Sequence, residues 1–261
     1  MCSRYQQLYL CSGRRGNKRT IQVYSAVNNV WNAHRNILSA DREWASVVAV
    51  DDKLIVYGGY PSSKTLDVVL TNEHECALVQ HELPQLYEGR RQHASVAIDN
   101  TVYVLGGSND HISSSCESIN TDDGTHRRIS RLIVGRRDCA AATHHRNIIV
   151  CGGLDENLQS HSSVEMYTEA TDNWTLLAPM KFTRRWHCAV IINDEMIIIG
   201  GNTHSIETYN ITTQEARITR STDVVGRYHF IAAVVEVDED DSGELLKSLL
   251  ERRAQRTAII I

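Results

Sequence analysis

Apolar residues along this chain fall into short runs that end in paired glycines. The runs are LIVYGG (54–59), VYVLGG (102–107), IIVCGG (148–153) and MIIIGG (196–201). Their glycine pairs are Gly58-Gly59, Gly106-Gly107, Gly152-Gly153 and Gly200-Gly201, spaced 48, 46 and 48 residues apart. Another 46 residues upstream lies LYLCSG (8–13), with Ser12 in place of the first glycine. Self-similarity at a fixed period is the mark of a repeat architecture.

Three further columns run in step. An arginine column precedes WASVVAV (44–50), HASVAI (93–98), CAAAT (139–143), HCAVII (187–192) and HFIAAVVEV (229–237). Another column holds IQVYS, LDVVLTN, SCESIN, SVEMYT and SIETYN, and a last one Val30-Trp31-Asn32, ALVQHEL, HRRIS, NWTLLAPM and EARIT. Turn-formers such as Asp51-Asp52, Asp99-Asn100 and Asn193-Asp194 separate the runs. Four short strands per period of about 40–50 residues predict a β-propeller blade. No segment within 14–236 carries a helical stripe, which excludes a parallel α/β fold. The predicted fold is all-β, a propeller of five units over 1–236, followed by an acidic linker and amphipathic helix over 237–261.

At these residues the sequence resembles the kelch-repeat family, whose motif is an apolar strand, a double glycine, a spaced Tyr and Trp, and an arginine before the next strand. The fourth unit matches best, with IIVCGG, Tyr167, Trp174 and Arg184; the first keeps Tyr24 and Trp31, and the fifth keeps Tyr209. The second and third lack both aromatics. Kelch propellers commonly have six blades, so a six-blade ancestor that lost one is the alternative to a five-blade ring. Met1 lies close to LYLCSG, so a C-terminal strand, 228–236, is expected to complete the first blade.

Composition narrows the partners. With 27 basic and 32 acidic residues the formal net charge is −5, which argues against nucleic-acid binding driven by bulk charge. The 7 cysteines form no CxxC, and no signal peptide or long apolar span is evident. Reduced thiols in a cytoplasmic protein off the membrane are expected.

The first arginines of the column, Arg42, Arg90, Arg136 and Arg184, are expected to bond carbonyls or carboxylates between blades. The resemblance places two variable sets at one mouth of the ring, as a recognition face. One follows the glycines: Arg14, Tyr60, Ser108 and Asn202, with Leu154 discounted as packing. The other surrounds the second arginines: Arg91, Gln92, Arg137, Asp138, Arg185, Trp186, Arg227 and Tyr228, with Trp44 discounted likewise. Arg, Trp and Tyr are the types enriched in binding hot spots, and the surplus arginines point to an acidic protein or peptide ligand.

No catalytic set, cofactor or metal site is expected. Thr121-Asp122-Asp123-Gly124-Thr125 is a single copy with wrong spacing for a sialidase box, and no phosphate loop occurs. His93, His187 and His229 share one repeat position with Ala45 and Cys139, which indicates packing, and His144-His145 falls at a predicted turn. The resemblance implies a binding module, derived from a substrate receptor of cullin-based ubiquitin ligases. An actin-associated scaffold and an enzyme with a channel site are the alternatives. Without the BTB domain of such receptors, cullin recruitment is not expected from this chain alone.

Overall fold

The computed structural model describes residues 2–4, 7–11, 19–25, 30–61, 63–71, 76–203 and 205–221. These form five four-stranded antiparallel sheets, the blades of a β-propeller. Blade one contains β1 (Cys2–Arg4), β2 (Gln7–Cys11), β3 (Ile21–Ser25) and β4 (Val30–His34). A short ladder, β5 (Arg42–Glu43), leads into blade two: β6 (Ser46–Val50), β7 (Lys53–Tyr57), β9 (Leu66–Thr71) and β10 (Cys76–Val79), with β8 (Tyr60–Pro61) pairing back to β5. Blade three holds β11 (Ala94–Ile98), β12 (Thr101–Leu105), β13 (Cys116–Asn120) and β14 (His126–Ile129). Blade four holds β15 (Ala140–His144), β16 (Asn147–Cys151), β17 (Val164–Thr168) and β18 (Asn173–Leu177). Blade five holds β19 (His187–Ile192), β20 (Glu195–Gly200), β21 (Ser205–Asn210) and β22 (Ala216–Ser221).

The strand after each arginine is therefore the first strand of the next blade. These strands, β6, β11, β15 and β19, pack neighbour to neighbour, and β1 of the first blade packs on β6. The first blade departs from expectation. Its first strand is β1, paired through Cys2–Tyr9 and Arg4–Gln7. A two-residue link suffices for an antiparallel hairpin, so the fourth place in that sheet is already filled. Segment 228–236 and the predicted helix lie outside the described residues.

The core is divided into four clusters, one at each seam between consecutive blades. Strands β7, β12 and β16 are buried on both faces, which is why LIVY, VYVL and IIVC read as unbroken apolar runs. Outer strands are more open, as in β10, where Ala77 and Leu78 are exposed. Tyr167 and Trp174 face each other across β17 and β18 with ring centroids 5.2 Å apart, and the Trp174 indole donates to the Ser130 carbonyl of the preceding blade at 2.9 Å. Where blade three lacks that pair, Ile119 and His126 occupy the same register. Trp31 makes the equivalent contact with Tyr24 but is 42% exposed, so it seals less than its repeat position predicts.

Arg42, Arg90, Arg136 and Arg184 are almost wholly buried, at 0–1% exposure. Each reaches the carbonyl of the first glycine of its own blade: Gly58 at 2.9 Å, Gly106 at 2.7 Å, Gly152 at 2.9 Å and Gly200 at 2.8 Å. Each also pairs with a buried carboxylate on the third strand: Asp67, Glu117, Glu165 or Glu207. The side chains thus tie strands within a blade rather than between blades. Cohesion between blades comes from the main chain. The Arg90, Arg136 and Arg184 carbonyls accept the Gly59, Gly107 and Gly153 N–H of the preceding blade at 2.9, 2.8 and 2.7 Å. The carboxylates then hold the loop before each arginine, as Glu165 does by accepting the Ile133 and Val134 N–H at 2.7 and 3.0 Å.

Close approach explains the glycines. Gly152 has φ +61°, and a Cβ there would lie 2.6 Å from both the Arg184 carbonyl and the His187 Cε1. No L side chain fits that space at positive φ. His93 and His187 pack beneath these turns. Burial, reinforced by Arg90 and Arg184 respectively, pulls both imidazoles down to about 3.

Two outcomes follow. Arg136→Ala leaves Glu165 buried without its cation and lowers unfolding free energy by about 3–5 kcal/mol in urea denaturation, whereas exposed Arg146→Ala changes the midpoint little. A histidine whose folded pKa is depressed adds no penalty above its ordinary value and destabilises as pH falls toward the folded value. Stability should therefore decline from about pH 6.5 toward pH 3. His93→Leu, which removes an imidazole with no hydrogen-bond partner at either nitrogen, should shrink that decline without lowering the neutral-pH midpoint.

Candidate functional site

At the glycine end of the blades the two variable sequence columns meet. Glu43 pairs with Tyr60 across β5 and β8, Arg91 bridges Ser108, and Arg137 bridges Leu154. The Arg91 and Ser108 main chains exchange N–H···O bonds in both directions at 2.9 Å. In blade five the side chain of Asn202 substitutes, its Oδ1 accepting the Arg185 N–H at 3.1 Å. Each variable residue after a glycine pair is thereby held beside a residue of the arginine column.

The next residue in each lead-in loop adopts the left-handed region although none is glycine. Trp44, Gln92, Asp138 and Trp186 have φ of 58°, 56°, 56° and 55°. Their main chains link blade to blade in series. Gln92 N–H donates to the Trp44 carbonyl at 2.9 Å, Asp138 to Gln92 at 2.9 Å, and Trp186 to Asp138 at 3.0 Å. Left-handed backbone at a non-glycine residue persists where its surroundings compensate, and here hydrogen bonds between blades do so. Because this belt runs through N–H and C=O groups, it accommodates a different side chain in each blade.

Those side chains sort into two groups. The Arg91 guanidinium lies 5.7 Å from the Trp44 ring and 5.5 Å from the Tyr60 ring, within cation–π range. Trp44 and Tyr60 are 38% and 53% exposed, so Trp44 is open where packing was expected. Arg185 stacks on Trp186 at 4.3 Å. Arg137 is engaged differently. It donates to Gln92 Oε1 at 3.2 Å, while Gln92 donates to Asp138 at 2.9 Å, and Asp138 carries the opposing charge 3.7 Å from Arg137. Ser108 and Asp138 are buried, as is Leu154. Side chains at this end that face outward therefore include Tyr60, Trp44 and Asn202, with Arg91, Gln92, Arg185 and Trp186 half-buried. Arg14, Arg227 and Tyr228 lie outside the described residues.

Below this surface, burial pushes the Cys139 and Cys151 thiols up to about 11 and about 12, which suits packing rather than nucleophilic chemistry. The carboxylates Asp67, Glu117, Glu165 and Glu207 were not singled out in the sequence. Their signal is an acid at the second position of LDVVL, CESIN and VEMYT and at the third of SIETYN, in step with the arginines.

Comparison with known proteins places this geometry in context. The KLHDC2/KLHL20/DRC7 Kelch-repeats domain family matches residues 1–201. The chain is 24% identical over 209 residues to Kelch repeat protein M-T8 of Myxoma virus (strain Lausanne), covering 78% of this chain and 40% of that protein. It is 28% identical over 181 residues to Kelch-like protein 26 of Danio rerio, covering 64% and 29% respectively. It is 25% identical over 204 residues to Kelch-like protein 23 of Homo sapiens, covering 76% and 36%. The chain thus spans two-fifths or less of the length of these relatives. The solved structure of YjhT shares the fold at a TM-score of 0.67 and 13% identity, over 75% of this chain and 70% of that one. Arginine lead-ins, double-glycine turns, four-stranded blades and the family match agree, and the chain belongs to the kelch-repeat domain family.

Proposed function

We propose that this kelch propeller captures a protein or peptide ligand bearing acidic groups on the glycine end of its blades. The reading is carried by one observation. The belt at Trp44, Gln92, Asp138 and Trp186 uses main chain alone, and the side chains it releases bring Arg91 and Arg185 onto aromatic rings. An arginine resting on a ring presents its N–H edge in a fixed plane, which suits bidentate capture of a carboxylate. Rigid aromatic and arginine anchors on a repeat scaffold are the composition of a binding surface. Arg14, Arg227 and Tyr228 extend the same face in this proposal, and Arg137, neutralised by Asp138, shapes it rather than supplying charge.

Kelch propellers are generally protein-interaction modules. The finer form of the proposal is a binding role without catalysis, as the substrate-recognition part of a cullin-based ubiquitin ligase, which the family resemblance supports. Propeller through 236 and a separate tail over 237–261 are part of it. So is a cytoplasmic setting, supported by thiols outside any disulfide at Cys76, Cys116, Cys139 and Cys151. No helix among the described residues is long and apolar enough to cross a membrane.

The double variant Arg91→Glu/Arg185→Glu should lose partners that wild type retains in a pull-down read by mass spectrometry, by about tenfold or more, at an unchanged melting temperature. An identical set of partners on both proteins would overturn the reading.

A further inference from the structure

The opposite end of the blades is formed by two-residue turns between first and second strands. In blade two the turn is Asp51-Asp52, in blade three Asp99-Asn100, in blade four His145-Arg146 and in blade five Asn193-Asp194. The first residue of each is left-handed, with φ of 49° at Asp51, 49° at Asp99, 53° at His145 and 54° at Asn193. Asp, Asn and His are the non-glycine types that tolerate this backbone best, so the conformation itself does not require an imidazole.

At two seams the second turn residue of one blade approaches the first turn residue of the blade before it. At the seam between blades three and four, Arg146 spans the gap. It pairs with Asp99 of blade three and with Glu169 of its own blade. At the seam between blades four and five the corresponding second residue is an acid, Asp194. It faces His145, and beside it His144, the last residue of β15. His144 Nε2 and Asp194 Oδ1 are 2.8 Å apart, and the two imidazole centroids are 4.3 Å apart. One ligand atom from each of His144, His145 and Asp194 lies within 4.8 Å of the others. Here the acid and the histidines hold the place that a carboxylate–guanidinium pair holds one seam away.

From this we infer that His144, His145 and Asp194 bind one zinc(II) ion that bridges blades four and five. Two imidazoles and one carboxylate are donors that zinc favours, and three protein ligands leave a fourth, tetrahedral position for water. Bonds of about 2.0–2.2 Å in a tetrahedron put donors roughly 3.3 Å apart. The 2.8 Å His144–Asp194 hydrogen bond opens by about half an ångström to admit the ion, and the outer donors close in. Their exposure permits that: His145 and Asp194 are both exposed, while His144 is mostly covered. The backbone beneath is held in place. The Ile211 N–H donates to the Asp194 carbonyl at 2.9 Å, and β15 packs on β19. Binding breaks no covalent bond to carbon: the hydrated ion gives up five of its six waters for three coordinate bonds and keeps the sixth, while the His144–Asp194 hydrogen bond is lost and its proton passes to solvent or to the other imidazole nitrogen.

Sequence reading missed this site because Asp194 stands fifty residues from the histidines, and neighbouring blades alone bring them together.

Isothermal titration of the untagged full chain with zinc chloride near neutral pH tests the proposal. One equivalent should bind, and the ion should raise the melting temperature of wild type. His145→Ala and Asp194→Asn, both at exposed positions, should each weaken binding by at least about tenfold and abolish the thermal shift, with the metal-free melting temperature unchanged. Absence of zinc binding by wild type, or binding and thermal shift equal in wild type and both variants, would overturn it and leave a hydrogen-bonded histidine–aspartate seam.

Discussion

The propeller depends on a cation buried in each of blades two to five. Arg42, Arg90, Arg136 and Arg184 are removed from water, a placement that costs several kcal/mol per ion unless the charge is paired and hydrogen-bonded. Partners come from the blade's own glycine turn and from an acid on its third strand. The acid in turn fixes the loop that delivers the arginine. Arginine, glycine and acid are therefore one unit, and loss of any member strands the charge of another. Main-chain bonds from the arginine carbonyl to the preceding blade's second glycine then convert this local closure into blade-to-blade order.

Function follows from what that unit leaves unused. Since main chain links Trp44, Gln92, Asp138 and Trp186 blade to blade, the side-chain chemistry at these positions differs between blades without breaking the belt. The same logic holds at the far end, where two-residue turns set the backbone and side chains set the chemistry of each seam. One end gathers arginine on aromatic rings; at the other, one seam gathers imidazole and carboxylate.

Much of the architecture was legible in the sequence because backbone requirements recur with the blade. Positive φ and close approach select glycine at Gly152 and Gly153, and double-sided burial selects unbroken apolar runs such as IIVC. Positions with tertiary partners were read less well. Trp44 looked like packing because tryptophan usually packs, yet it lies open under Arg91. Arg137 looked like Arg91 in sequence but is neutralised by Asp138, the neighbouring variable residue. The first blade takes its first strand from Cys2–Arg4, because a tight hairpin needs fewer residues than the repeat spacing suggested.

Sequence alone determined fold class, repeat period, the strand order of blades two to five and the membership of each column, since these depend on local conformational preference and on which faces are buried. Tertiary structure decided which columns touch: that the buried arginines close on their own blades, that Arg91 and Arg185 rest on rings while Arg137 does not, and that Asp194 meets His144. The reason is distance along the chain. Contacts between blades join residues nearly fifty positions apart, and local sequence carries no record of which neighbour a side chain will find.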